Sequence, residues 1–289
     1  MATRTGTGLG QPDAESPDAS YAIVAGLYVA VLLAPLAVLV LSRATSNGGI
    51  LYLGFLAAIT GFATVTGSIV SRTSGLAVSL GGRTAAWLLA VLPFVWFIGV
   101  LGVVSMGTEP PGITVGLAIV STIGGMFLGL FLTTMSRTRY AAAVLIGAEE
   151  FVEWEARWPR RWRRLSLGGM VVAGVVGVAG VIVQLVWSDL SWAGNLYLLF
   201  FLWTPFAGAT NPRTFRVTDV GLVVERPLQQ RIRPWSEFAS YTLTDTALII
   251  HPSVWWRPAY RSDRGDIEDL DAAVKALERI LGDDEYTAR

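Results

Sequence analysis

Every Asp, Glu, Lys and Arg of this chain lies outside six long apolar runs, 21–42, 50–71, 84–106, 112–135, 167–188 and 190–210. Each run is long enough to cross a hydrocarbon core, which takes about 20 apolar residues as a helix. A helix is required because backbone amides in lipid have no water to bond to. The expected fold class is an α-helical membrane bundle of six transmembrane helices with a small α+β domain after it. A 53% hydrophobic content agrees with that class, and a formal net charge of zero offers no global field to attract nucleic acid.

The connections give the bundle a direction. With the N-terminus in the cytoplasm, the inner segments carry Arg4, Arg72, Arg83, Arg137, Arg139, Arg157, Arg160, Arg161, Arg163 and Arg164. The outer connections carry only Arg43. Cationic residues beside short loops stay inside, so both termini are expected in the cytoplasm of a multi-pass cell-membrane protein. The expected organisation is a disordered polar tail (1–20), four spans (21–135), a cytoplasmic Arg/Trp-rich connection (136–166), two spans (167–210), a cytoplasmic domain (211–283) and a short tail (284–289). The first run is too long for a typical signal-peptide core and reads as a retained helix.

Small residues mark where helix backbones approach. Gly125 and Gly129 form a GxxxG, and Gly169, Ala173 and Gly177 repeat every four residues. Such spacing serves packing within a bundle or a seam between two copies of the chain. Pro35, Pro93 and Pro205 are candidate kinks, because proline removes an N–H and crowds the preceding turn.

The connection 136–166 is the most unusual loop. Residues 140–158 read as helical, and Trp154, Trp158 and Trp162 recur every four residues. Together with Arg160, Arg161, Arg163 and Arg164 they form a candidate membrane-interface site, since rings bury at the boundary while guanidinium groups meet phosphates. That site acts either as a general anchor or as a specific lipid contact.

After Pro212 the pattern alternates. Strands are expected at 213–218, 221–226, 228–233, 237–243, 246–251 and 254–261, and a helix at 266–281 with Asp266 at its start and Gly282 at its end. Val217–Thr218 before a turn, Gly221–Leu222 after it, and Pro234–Trp235–Ser236–Glu237–Phe238 entering a new strand carry a resemblance. The segment resembles the small PH-like domains attached to prokaryotic membrane proteins. That resemblance implies a partly open β-barrel capped by a C-terminal helix, a binding or assembly role, and no catalytic residues. Arg231 and Arg233 share one strand face. Trp255 and Trp256, as strand neighbours, are expected on opposite faces, one of them in the core. These four are the candidate partner contacts.

Function is legible mainly through exclusion. With no cysteine and one histidine, His251, the chain offers no obvious catalytic triad, metal site or cofactor motif. Ionisable residues inside spans usually mark ion pathways, and these runs have none. The expectation is a non-enzymatic membrane scaffold or sensor. Its expected partners are the lipid bilayer, a cytoplasmic protein and a further copy of the chain, with no nucleic acid. The alternative is a transporter or channel subunit for a neutral or lipophilic solute, with Gln184 and Asn195 lining its cavity.

Overall fold

The computed structural model describes residues 19–187, 211–226 and 229–282, together with positions 193, 196 and 199. The chain divides into two compact units, 1–146 and 147–289.

The first unit is helical. It comprises α1 (Ala19–Leu41), α2 (Gly48–Ser71), α3 (Leu76–Gly81), α4 (Leu88–Val91), α5 (Phe94–Ser105) and α6 (Gly112–Val144), with a 3₁₀ turn, Thr84–Trp87, leading into α4. Asn47 starts α2 by accepting the Gly49 and Ile50 amides, two of the donors a helix start leaves without a partner. Ala22, Ala25, Gly26, Ala30 and Ala34 are buried along α1. At Gly26 an added Cβ would overlap the Ala63 carbonyl of α2, so α1 and α2 cross on small residues. Pro35 is buried inside α1, which runs on through it as one helix.

The third expected span is broken. Thr84–Val91 and Phe94–Ser105 meet at 48°, at Leu92 and Pro93. Pro93 has no N–H for the Leu89 carbonyl four residues back. The Tyr28 hydroxyl of α1 donates to that carbonyl instead, at 2.8 Å. From α6, Thr133 donates to the Ala86 carbonyl at 2.9 Å and Thr122 to the Pro93 carbonyl at 3.3 Å. A break at membrane depth persists when neighbouring helices satisfy the freed backbone groups in this way.

The second unit joins strands to one long helix, α7 (Arg160–Val186). Four helices in the described residues, α1, α2, α6 and α7, are long and apolar enough to cross a membrane; the bent pair makes five if it is one span. The sixth expected run, 190–210, lies outside the described residues apart from 193, 196 and 199. The expected tails, 1–20 and 284–289, also lie outside them, except that Ala19 and Ser20, expected in the tail, already belong to α1.

The connection corrects the helical reading of 140–158. Helix α6 stops at Val144, Gly147 takes a left-handed φ of 81° that favours glycine, and Glu150–Ala156 is a strand, β1. It pairs antiparallel with β2 (Arg213–Thr218), from Glu150 opposite Thr218 to Ala156 opposite Arg213. With β3 (Leu222–Arg226) and β4 (Gln229–Arg233) these make a four-stranded sheet in the order β1-β2-β3-β4. A second sheet runs β5-β6-β7 from Phe238–Leu243, Ala247–Pro252 and Tyr260–Asp263. The strand expected at 254–261 therefore begins only at Tyr260. Helix α8 (Leu270–Leu281) starts later than expected, because the Asp269 side chain, not Asp266, caps it by accepting the Ala272 amide. Gly282 closes it with φ 77° and an amide bonded to the Glu278 carbonyl.

Alternation builds the core between the sheets and α8. Trp154, Phe215, Val217, Leu222, Val224, Phe238, Leu248, Ile250, Ala273 and Leu277 are buried in one cluster. Trp154 and Phe215 stack at 5.6 Å across the β1–β2 pair, a geometry that adds roughly 0.5–1.5 kcal/mol beyond burial.

Candidate functional site

The sharpest concentration of charge and aromatic surface in the second unit lies where β1 passes into α7. Three residues, 157–159, make the link, and Pro159 opens the helix, where its missing N–H costs nothing. The Arg157 amide donates to Asp266 at 3.0 Å, and the Arg157 carbonyl accepts the Asp263 amide at 2.8 Å. The chain is thus fixed to the end of β7 just before α7 begins.

Beyond that point Trp158 and Trp162 meet edge to face at 6.3 Å. The Arg213 guanidinium from β2 lies over Trp158 and that of Arg261 from β7 over Trp162, both at 5.3 Å. Arg213 is 8% exposed. Burial first, then neighbouring Arg226, pull its guanidinium down to about 10 against the opposing effect of Tyr260. On β6, His251 sits below the usual imidazole range, first through burial and then through Arg261. Its Nε2 lies 3.0 Å from the Thr242 hydroxyl. Arg160, Arg161 and Arg164 are exposed on the first turns of α7, and Arg163 is half-buried. Guanidinium groups from β2 and β7 stand over two Trp rings beside the arginines that open α7, an arrangement suited to phosphate oxygens and an anionic surface.

Of the three tryptophans expected at the interface, two meet where β1 passes into α7. Trp158 is half-buried and Trp162 is 45% exposed. Trp154 belongs to the sheet core, because on a strand it faces the opposite side from Glu153 and Glu155. The outer face of the same sheet carries a carboxylate cluster. Arg216 pairs there with Glu150, at 3.5 Å, and with Glu225. Glu153 beside it is held above the usual carboxylate range by burial and then by Glu150.

Of the four candidate partner contacts, Arg233 is bonded to the Glu237 carboxylate, which also holds Arg257, at 2.9 and 2.5 Å. Arg231 is half-buried opposite Val224. Trp255 and Trp256 correct the expected strand pattern: they sit in the β6–β7 turn, 93% and 65% exposed, and neither enters the core. Ser253 ties the turn to the Glu237 carbonyl through both amide and hydroxyl, and the Arg257 guanidinium lies 5.3 Å from the Trp256 ring.

The packing residues divide between the units. Gly125 faces Pro93, and at Gly129 an added Cβ would overlap the Leu89 carbonyl. Both therefore seat the broken span. On α7, Ala173 and Gly177 are buried and Gly169 is half-buried; Gly180, not singled out in the sequence, is buried against Ala193. The alanine and glycine stripe of α1 and the Tyr28 cap were also missed, although the four-residue recurrence of Ala22, Gly26, Ala30 and Ala34 was available to find the first. Gln184 is exposed on α7, and Asn195 lies outside the described residues. A groove of about 550 Å³ beside α1 and α2 is apolar, lined by Leu33, Leu36, Val40, Leu41 and Phe62 among others.

No family model, curated protein or solved structure matches this chain.

Proposed function

We propose that the chain is a non-enzymatic scaffold or sensor of the cell membrane, whose PH-like sheet unit works against the cytoplasmic face of the bilayer. One observation carries this reading: β1 and β2 pair in one sheet although α7 and the run 190–210 lie between them. Paired strands occupy the same side of a membrane. If α7 crosses, the chain has to cross back before Arg213, which favours six spans over five. Four crossings before β1 then put the N-terminus, the connection and the sheet unit on one side. The arginine distribution supports the cytoplasm as that side.

Two sheets of four and three antiparallel strands closed by a C-terminal helix agree with the PH-like resemblance, with β1 supplied from the other side of the two spans. Such a unit is tethered at two points and presents its Arg/Trp cluster where α7 begins. The geometry suits reading the membrane surface or holding a cytoplasmic protein beside it. The apolar groove on α1 and α2 favours the second reading, in which the bundle handles a lipophilic solute. It is lined by side chains that ordinary acyl chains would satisfy, so it ranks behind.

The chain has no cysteine, so single substitutions Ser46→Cys and Asp245→Cys report topology directly. A membrane-impermeant maleimide should label the first in intact cells and the second only after permeabilisation. Labelling of Asp245→Cys from outside would sink the cytoplasmic reading. Solute flux through the reconstituted chain would favour the transporter.

A further inference from the structure

The β6–β7 turn was expected to be a strand with one tryptophan inside. Instead it holds two adjacent indoles out of the core on a turn that is pinned at both ends. Ser253 fixes its start to the Glu237 carbonyl. At its far side Arg257 is fixed by Glu237 and by its own amide bond to the Val254 carbonyl. Two large rings held out in water at this exposure lose apolar burial that the fold could otherwise have used. Residues 253–261 include Arg257 and Arg261 and no acid, so the turn is both aromatic and cationic.

The turn also lies within a bounded distance of the start of α7. Trp162 precedes Leu167, where the apolar run begins, by five residues, or about 7.5 Å of helix. That is the thickness of a headgroup layer, roughly 5–8 Å on each side of the hydrocarbon. Arg261 stands over Trp162, which holds β7 at headgroup level. Trp256 is five residues before Arg261, within about 17 Å along the chain.

The geometry points to a second membrane anchor: the Trp255–Trp256 turn inserts into the headgroup layer of the same anionic bilayer that α7 enters. Indole rings favour that layer, having an apolar body and one N–H donor. Arg257 beside Trp256 meets lipid phosphates there. With this turn engaged in addition to the chain tethers, the sheet unit's remaining faces are presented in a fixed orientation. The inference rests on the membrane-surface reading above.

A spin label at Val254→Cys keeps both tryptophans and tests the anchor in the full chain, reconstituted in vesicles of phosphatidylethanolamine and phosphatidylglycerol. Labels at Asp245→Cys, in the exposed β5–β6 turn, and at Val178→Cys, on the lipid-exposed side of α7, give the aqueous and hydrocarbon limits. The expected result is an oxygen-over-nickel-chelate accessibility at 254 between those limits, lost to the Asp245 value when Trp255→Ser and Trp256→Ser are added. If 254 matches 245 while 178 reads hydrocarbon, the anchor is wrong, the membrane reading stands, and the turn is left to face a protein. Should 178 also read aqueous, α7 does not span and both fall.

Discussion

The two units solve one problem with opposite materials. Both must satisfy every buried backbone group and bring chain segments close together. The helical unit does so with small residues and hydroxyls: Gly26 on Ala63, Gly129 on Leu89, and Tyr28, Thr122 and Thr133 on the carbonyls around Pro93. The sheet unit does so with large side chains in alternation, Trp154 on Phe215 above Leu277. The difference follows from the solvent. Lipid is as apolar as leucine, so burying leucine there gains little and close backbone packing decides. In water, apolar area decides. Substitutions that enlarge should therefore damage the first unit, and substitutions that shrink should damage the second.

The largest effect is expected at Gly129→Leu, whose side chain has to enter the backbone of Leu89. Folded, monodisperse protein in detergent should be lost, whereas Gly61→Leu on α2, with nothing within 4 Å of an added Cβ, should be recovered normally. Equal tolerance at the two positions would break the close-packing account. In the sheet unit the corresponding change is Trp154→Ala. It should cost about 3–5 kcal/mol by the usual range for a buried aromatic, read as a loss of the sheet unit's protease resistance. Trp162→Ala, at an exposed ring, should leave that resistance intact. If the two tryptophans behave alike, β1 is not the core strand described here.

That contrast also shows what the sequence makes legible. The four or five candidate spans among the described residues are readable because charge is forbidden across about 20 residues, and β2, β3 and α8 because alternation or a 3.6-residue period is sustained. β1 was misread because Trp154, Trp158 and Trp162 fall at helical spacing. The period-two pattern of Val152, Glu153, Trp154, Glu155 and Ala156 was present but short, and its partner strand begins more than fifty residues later. Nothing local announces such a pairing. In the β6–β7 turn, Pro258 was the available warning, since proline cannot donate to a ladder. The cationic half of the site was legible as composition. Its convergence with Arg213 and Arg261 depends on tertiary pairing, which composition does not encode.

A smaller effect isolates the hydroxyl half of the comparison. Tyr28→Phe removes the donor to the Leu89 carbonyl, leaving a buried acceptor at a cost of roughly 1–3 kcal/mol. Pro93→Ala returns a backbone N–H four residues along from that carbonyl. The cost of Tyr28→Phe should therefore shrink in the Pro93→Ala background, measured as a double-mutant cycle on denaturation in detergent. Strict additivity would mean that Tyr28 acts by packing alone.

The smallest effect separates the units by pH. His251, in the sheet unit, is the one histidine and the only side-chain type that ordinarily titrates between pH 5 and 8. Burial and Arg261 lower its folded pKa below 6.5, so the fold prefers the neutral ring. Its contribution is complete above the ordinary value and is lost as pH falls through the folded one. Mild acid should thus loosen the sheet unit slightly and leave the helical unit's thermal transition unmoved. Imidazole NMR reads the site directly: the midpoint should rise towards the ordinary value in Arg261→Gln, which removes the neighbouring charge, by less than full exposure would give, because burial is the larger cause. A midpoint already at or above 6.5 in the parent chain would place His251 away from Arg261 and weaken the description of β7 on which the Trp162 contact depends.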